Sequence, residues 1–254
     1  MTIALAFAGR HNARKLCPPC SEPPVYGFED VWQPTTLLFK NVMDEDDLTA
    51  EPHRGSNIAG LTFVFEIGLA VLAVILGRAF GPMPLRSVDP NPAAMLRPIA
   101  WGLLATVPML LGLLLLEWRP RGPFAELRRI VHQNIVPMFS GAKIWQLGLI
   151  AIAAGVGEEM LFRGFLQTAI ADRIGTDTGL WMAVAITSGL FGICHWVTRT
   201  YAVLATLIGA YLGWLLLACG NLIVPISAHA AYDFVALLYL VKVAPQSRNQ
   251  RQAA

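Results

Sequence analysis

Six long apolar stretches dominate the chain, at residues 58–80, 98–117, 144–168, 179–198, 200–218 and 221–241. Each approaches the ~20 apolar residues that carry a helix across about 30 Å of hydrocarbon. The second is the cleanest, because Ile99 to Leu116 contains no charged side chain. The fourth, fifth and sixth are separated only by Thr198-Arg199-Thr200 and Cys219-Gly220-Asn221. Such short connections make these helices antiparallel neighbours. The pattern predicts an all-α fold, a polytopic membrane helical bundle of about six transmembrane helices with a four-helix core over residues 144–241.

Between the second and third stretches, residues 124–139 place Phe124, Leu127, Ile130, Val131 and Ile135 near one helical face and Arg128, Arg129 and Gln133 elsewhere. This is the pattern of a helix lying on the inner leaflet, a linker or a substrate gate. Residues 1–57 carry prolines, the acidic run Asp44-Glu45-Asp46-Asp47 and few apolar clusters, so a poorly ordered extension is expected. Its start lacks the basic segment of a cleavable signal, and its apolar core is short and followed by Arg10, Arg14 and Lys15, which leaves targeting to the first span. Cys17-Pro-Pro-Cys20 could share a metal ion, but a closed zinc site needs four ligands and only His11 and His53 stand near in sequence. Two reduced thiols in a tail are the plainer reading. Cys194 and Cys219 fall on the spans, where small-residue packing is expected.

Composition supports the membrane reading: 55% of residues are hydrophobic, 14% are charged and the mean hydropathy is +0.54. A soluble domain carries about a quarter charged residues. The net charge of +2 gives no reason to expect a nucleic-acid partner. The distribution of basic residues is more telling. With the N-terminus inside, Lys40, Arg54, Arg119, Arg121, Arg128, Arg129, Lys143, Arg199, Lys242, Arg248 and Arg251 fall on the inner side, against Arg78, Arg86, Arg97 and Arg173 outside. Both termini are therefore expected in the cytoplasm, and the location expected is a bacterial cytoplasmic (inner) membrane.

Against this background the polar residues of the spans stand out. A charge near the bilayer centre costs about 2.5–3.5 kcal/mol on insertion scales, so such groups mark pathways, relays or catalysis. The third span carries Glu158-Glu159-Met160-Leu161-Phe162-Arg163, the fourth ends in Phe191-Gly-Ile-Cys-His195, and the sixth contains His229-Ala-Ala-Tyr-Asp233. Glu159 and Arg163 lie at i and i+4 with the acid first, the favourable order for an ion pair. Glu158 is turned by about 100° and can meet a different partner. Phe191 and His195 share a face, as do His229 and Asp233. Glu66 is a further membrane acid, either functional or a protonated carboxyl bonded to backbone.

Taken together, Glu158-Glu159-x-x-x-Arg163, Phe191-x-x-x-His195 and His229-x-x-x-Asp233, in this order and on successive spans, resemble the CPBP family. Its members are the CAAX-protease and bacteriocin-processing membrane endopeptidases also called Abi proteins. The resemblance covers about residues 144–241. It divides the chain into a cytoplasmic extension (1–57), two accessory spans with the interfacial helix (58–143), a catalytic membrane core (144–241) and a cytoplasmic tail (242–254). It implies an intramembrane glutamic endopeptidase in which Glu158 activates water, His195 assists, and His229 with residue 233 stabilises the oxyanion. Glu159, Arg163 and Phe191 would support the site. Residue 233 departs from the asparagine of prenyl-protein members. An ionised Asp233 cannot donate to an oxyanion, so it is either protonated or orients and charges His229, and the second is expected.

Depth is a point of tension. With a third span starting at Ile144, Glu158 lies about 21 Å from the inner end, whereas His195 lies near the inner end of the fourth. A crossing that begins nearer Leu149, with helix tilt, would bring them closer. The site is expected to open towards the cytoplasm. No cofactor and no metal are expected, yet Glu158, His195 and His229 could bind zinc with a position open for water, which keeps a zinc-dependent membrane protease as an alternative. A non-enzymatic immunity or assembly factor, or a proton relay, is the other. The expected partners are the bilayer and a membrane-associated peptide or protein substrate, lipidated or bearing a C-terminal sorting tail.

Overall fold

The structure, a computed structural model, describes residues 51–118 and 120–244, with side chains from Ile58 on. The Cys17/Cys20 pair, His11, the side chain of His53, nearly all of the N-terminal extension and most of the C-terminal tail lie outside the described residues. Among those described the fold is all helical, in seven helices. They are α1 (Glu51–Phe80), α2 (Pro92–Trp118), α3 (Pro123–Phe139), α4 (Ile144–Ile174), α5 (Asp177–Cys194), α6 (Arg199–Cys219) and α7 (Ile223–Val243). Five of them, α1 from Ile58, α2, α5, α6 and α7, are each long and apolar enough to cross a membrane.

The third crossing differs from the simple span expected at 144–168. Helices α3 and α4 qualify together as a broken span bent by 113°. At 1.5 Å per residue the 31 residues of α4 would reach about 45 Å, well beyond the hydrocarbon thickness. The amphipathic face anticipated over 124–139 is present. Leu127, Ile135, Val136 and Phe139 are buried, while Arg129 remains exposed and pairs with Glu126. A wide π turn at Val131–Ile135 divides that helix.

Breaks within the helices have local causes. Pro108 has no N–H for the carbonyl of residue 104, and α2 is interrupted at Thr106, whose hydroxyl donates to Gly102 O (3.1 Å) and Ala228 O (3.3 Å). Asn91 caps the start of α2 by accepting from Ala93 N–H. Gly175 (φ 66°) closes α4 in the left-handed region and turns the chain into α5, whose cap is the Thr176 hydroxyl. Outside the membrane-facing helices, Arg86 in the α1–α2 connection makes a bidentate pair with Asp172 at the end of α4.

The core helices pack α4 against α1 and α7, α5 against α6, and α7 against α2. The α1–α4 backbones approach closely: a Cβ added at Gly157 would overlap the Glu66 carbonyl oxygen. The outside is apolar, with Leu61, Val64, Val71, Leu103, Leu111 and Leu115 exposed, as a lipid-facing surface requires. Exposed Trp118, Trp145 and Trp196 sit at ends of α2, α4 and α5 that six alternating crossings put on one side of the bilayer. Trp181, near the start of α5, falls on the other. Tryptophans favour these two interfacial depths. Cys194 and Cys219 are exposed, so they do not pack between helices as the sequence suggested; each lies at a helix C-terminus on the outside of the bundle. Gly157→Val should lower stability by about 1–3 kcal/mol by forcing α1 away from α4. An unchanged thermal unfolding midpoint in detergent would show that this approach does not hold the bundle together.

Candidate active site

The polar residues of three separate helices converge. Glu158 and Glu159 end the regular part of α4, and residues Met160–Gln167 continue it as a π-helical segment. Such wide turns are frequent at functional sites. The threonine that follows compensates one loosened carbonyl, since Thr168 Oγ1 donates to Arg163 O (2.9 Å). The segment is buried almost all round, from Met160 to Phe165 and again at Gln167.

Arg163 is 1% exposed, and its Nη1 donates to Glu159 Oε1 at 2.7 Å. Its Nη2 donates to the Gly209 carbonyl of α6 at 3.0 Å. The guanidinium also lies over the Phe191 ring, 4.5 Å from its centroid. One turn further on, Gln167 Nε2 donates to Gly213 O (3.1 Å), so a pair of donors four residues apart on α4 meets a pair of carbonyls four residues apart on α6. The ion pair anticipated from the i, i+4 spacing is thus present, with α6 as an added partner. The sequence signal for that partner was the matching spacing of Arg163/Gln167 and Gly209/Gly213.

His229 sends Nδ1 to the same Glu159 Oε1, at 2.8 Å. A carboxylate only accepts, so the Nδ1 hydrogen is fixed there. Asp233 stands on the other side of the ring, its Oδ2 3.6 Å from His229 Nε2. The sequence reading gave the orientation of His229 to Asp233. The short bond belongs instead to Glu159, because α4 and α7 pack side by side and bring residue 159 to the inner edge of the ring.

His195 is the residue at which α5 ends, with φ −102° and ψ 25°. The Phe191 carbonyl receives both its backbone N–H (3.2 Å) and its Nδ1 (2.8 Å). A carbonyl has no proton to give, so Nδ1 carries the hydrogen and Nε2 is turned to Glu158, 3.8 Å from Oε2. Phe191 stacks on the His195 ring (4.3 Å) and meets His229 (6.1 Å) and Phe162 (5.1 Å) edge-on. Phe191, expected on the His195 face, is a hub joining both histidines and Arg163.

The depth conflict between Glu158 and His195 disappears because both are set by the outer turn. Glu158 lies 17 residues before Gly175 and His195 20 residues after it. Two antiparallel helices running from one turn bring such residues to nearly the same level, wherever their inner ends lie.

Glu158, His195, His229 and Asp233 all face one cavity of about 370 Å³. Its remaining wall is mostly apolar, including Met109, Leu113, Leu127 and Ile208. Also on its wall is a polar group the sequence reading missed: Glu117 at the end of α2 accepts from Arg128 (3.0 Å) and faces His132 Nε2 (3.2 Å), both on α3. Glu66 is fully buried on α1, with its backbone against Gly157. Among the described residues, no three His, Cys, Asp or Glu side chains form a group suited to hold a metal ion.

Removing the arginine would leave Glu159 with His229 as its remaining partner and the Gly209 carbonyl without its donor, and breaking a buried pair costs about 3–5 kcal/mol. Arg163→Leu should therefore lose folded yield and thermal stability together with activity. A variant that melts like the wild type in detergent would mean that the pair does not hold α4 to α6 and α7.

Comparison with known families agrees with this geometry. Residues 140–235 match the family described as Rce1-like, type II CAAX prenyl endopeptidase Rce1-like. No curated protein and no solved structure matches the chain. The matched segment runs from the α3–α4 connection to just beyond Asp233 and so contains all three motifs. Residues 140–235, which hold the converging glutamates and histidines, are thus similar to the CAAX-type membrane endopeptidases of that family.

Proposed function

We propose that this protein is an intramembrane glutamic endopeptidase that hydrolyses a peptide bond in a membrane-associated substrate. The observation that carries the reading is the Glu158–His195 pair, 3.8 Å apart on the wall of an otherwise apolar cavity. Glu158 takes a proton from water as the oxygen attacks the peptide carbonyl, then returns it to the amine as the C–N bond breaks. His195, with Nδ1 held by backbone, turns Nε2 towards Glu158 and helps to position that water. His229, held through Nδ1 by Glu159, offers Nε2–H to the developing oxyanion. Asp233 keeps the imidazole cationic. Preorganised donors of this kind contribute several kcal/mol in a site that excludes water.

The substrate this cavity suits is apolar near the scissile bond and delivered from the bilayer, such as a lipidated peptide or a C-terminal sorting tail. The site lies towards the membrane face marked by Trp118, Trp145 and Trp196, which the basic residues assign to the cytoplasm. The basic residues support a reading in which the enzyme sits in the cytoplasmic membrane with both termini inside.

The direct test uses purified protein in detergent and a quenched fluorescent peptide ending in farnesyl-cysteine, two aliphatic residues and a terminal residue. Glu158→Gln, nearly isosteric but unable to take the proton, should reduce kcat by at least about 10³-fold. Wild-type turnover by this variant would end the glutamate reading. Stoichiometric zinc in the purified enzyme, lost in His195→Ala along with activity, would replace it by metal-activated water.

Asp233→Asn separates the two roles open to this residue. It removes the charge beside His229 Nε2 while keeping size, and kcat should fall across neutral pH. Full activity in the variant would show that an amide serves as well, and hence that residue 233 acts as an oxyanion donor rather than as a counter-charge.

A further inference from the structure

The oxyanion site proposed above has one clear donor. His229 has committed Nδ1 to Glu159, which leaves only Nε2–H for substrate. Asp233, as a carboxylate, accepts and does not donate. Tetrahedral intermediates are usually held by more than one donor, each aimed at the position the oxygen will occupy. The cavity wall therefore has to supply another.

The polar side chains of that wall are few. Glu158 and His195 are used on the water side, and Arg128 is engaged by Glu117. The Tyr211 hydroxyl donates to Ala105 O at 2.9 Å. Tyr201 and Tyr232 remain, and neither hydroxyl has a hydrogen-bond partner among the described residues. Tyr232 belongs with the apolar cluster of Met109, Leu212 and Val224 between α2, α6 and α7. Tyr201 belongs with the chemistry: its ring lies 6.0 Å from that of His195, and it lines the same cavity as Glu158 and Asp233.

The backbone fixes this placement. α5 stops at His195, and three residues later Thr198 starts the next helix by accepting from Tyr201 N–H at 3.0 Å. The cap pins Tyr201 in the first turn of α6, directly across the short connection from His195. A neutral phenol is also the donor that suits a cavity already holding several ionisable groups, because it adds no charge to desolvate.

We propose that Tyr201 is a further catalytic residue, a neutral O–H donor that shares the oxyanion with His229 Nε2–H. The role rests on the hydrolytic reading above. Tyr201→Phe removes only the hydroxyl, so kcat on the farnesylated peptide should fall about 10²-fold, with KM and the thermal unfolding midpoint unchanged. Affinity for a peptidyl phosphinate, which presents a tetrahedral oxyanion, should fall in parallel, an effect that mere packing would not produce. Replacing Tyr201 by 3-fluorotyrosine keeps the donor and should keep kcat, a check independent of any folding defect in the phenylalanine variant. Wild-type kcat and phosphinate affinity in Tyr201→Phe, alongside an inactive Glu158→Gln, would overturn the Tyr201 role and leave the glutamate mechanism standing. Wild-type activity in Glu158→Gln would overturn both.

Discussion

A guanidinium without access to solvent sets the terms for the membrane core. Arg163 can stay charged there only if its donors are met, and they are met by groups from different helices: Glu159 on its own turn and Gly209 O on α6, with the Phe191 face of α5 beneath. Burial makes this arrangement demanding. A charge in low dielectric is costly unless it is paired and hydrogen-bonded, so the helices that supply its partners cannot shift independently. The Gln167 to Gly213 bond repeats the contact one turn along and fixes the register of α4 on α6.

The same carboxylate oxygen that meets Arg163 also meets His229. Structural and functional requirements therefore share Glu159. It neutralises the arginine, and it sets the tautomer of an imidazole whose other nitrogen faces the cavity. His195 is set by a different device, the carbonyl left at the frayed end of α5. Each histidine is thus oriented from behind and presents Nε2 to the same space. This is the preorganisation that catalysis by fixed dipoles needs. Phe191 ties the two devices together, because one ring packs against both histidines and the guanidinium.

Around this polar centre the structure is apolar in both directions, towards lipid and towards the cavity. The outward side chains need no partner in hydrocarbon, and the cavity-lining ones enclose a mostly apolar space. Helix α3 forms part of that wall and is joined to α2 through Glu117, Arg128 and His132. The 113° bend between α3 and α4 turns the chain from the amphipathic helix into the motif helix.

Much of this was legible in the sequence because membrane burial leaves a strong local imprint. Runs of about 20 apolar residues can only be helices in lipid, and an acid four residues before an arginine declares its own ion pair. Hence the all-helical fold, the Glu159–Arg163 pair and the Phe191–His195 face followed from spacing alone. Relations between helices did not, since they depend on packing that no local pattern encodes. The level of Glu158 with His195 came from the hairpin at Gly175. The claim of Glu159 on His229 came from α4 lying beside α7, and the seat of Tyr201 came from a threonine cap after a very short connection. The sequence determined which residues a membrane would have to accommodate. Only the tertiary structure decided which of them meet, because a buried charge selects its partner by distance in space and not along the chain.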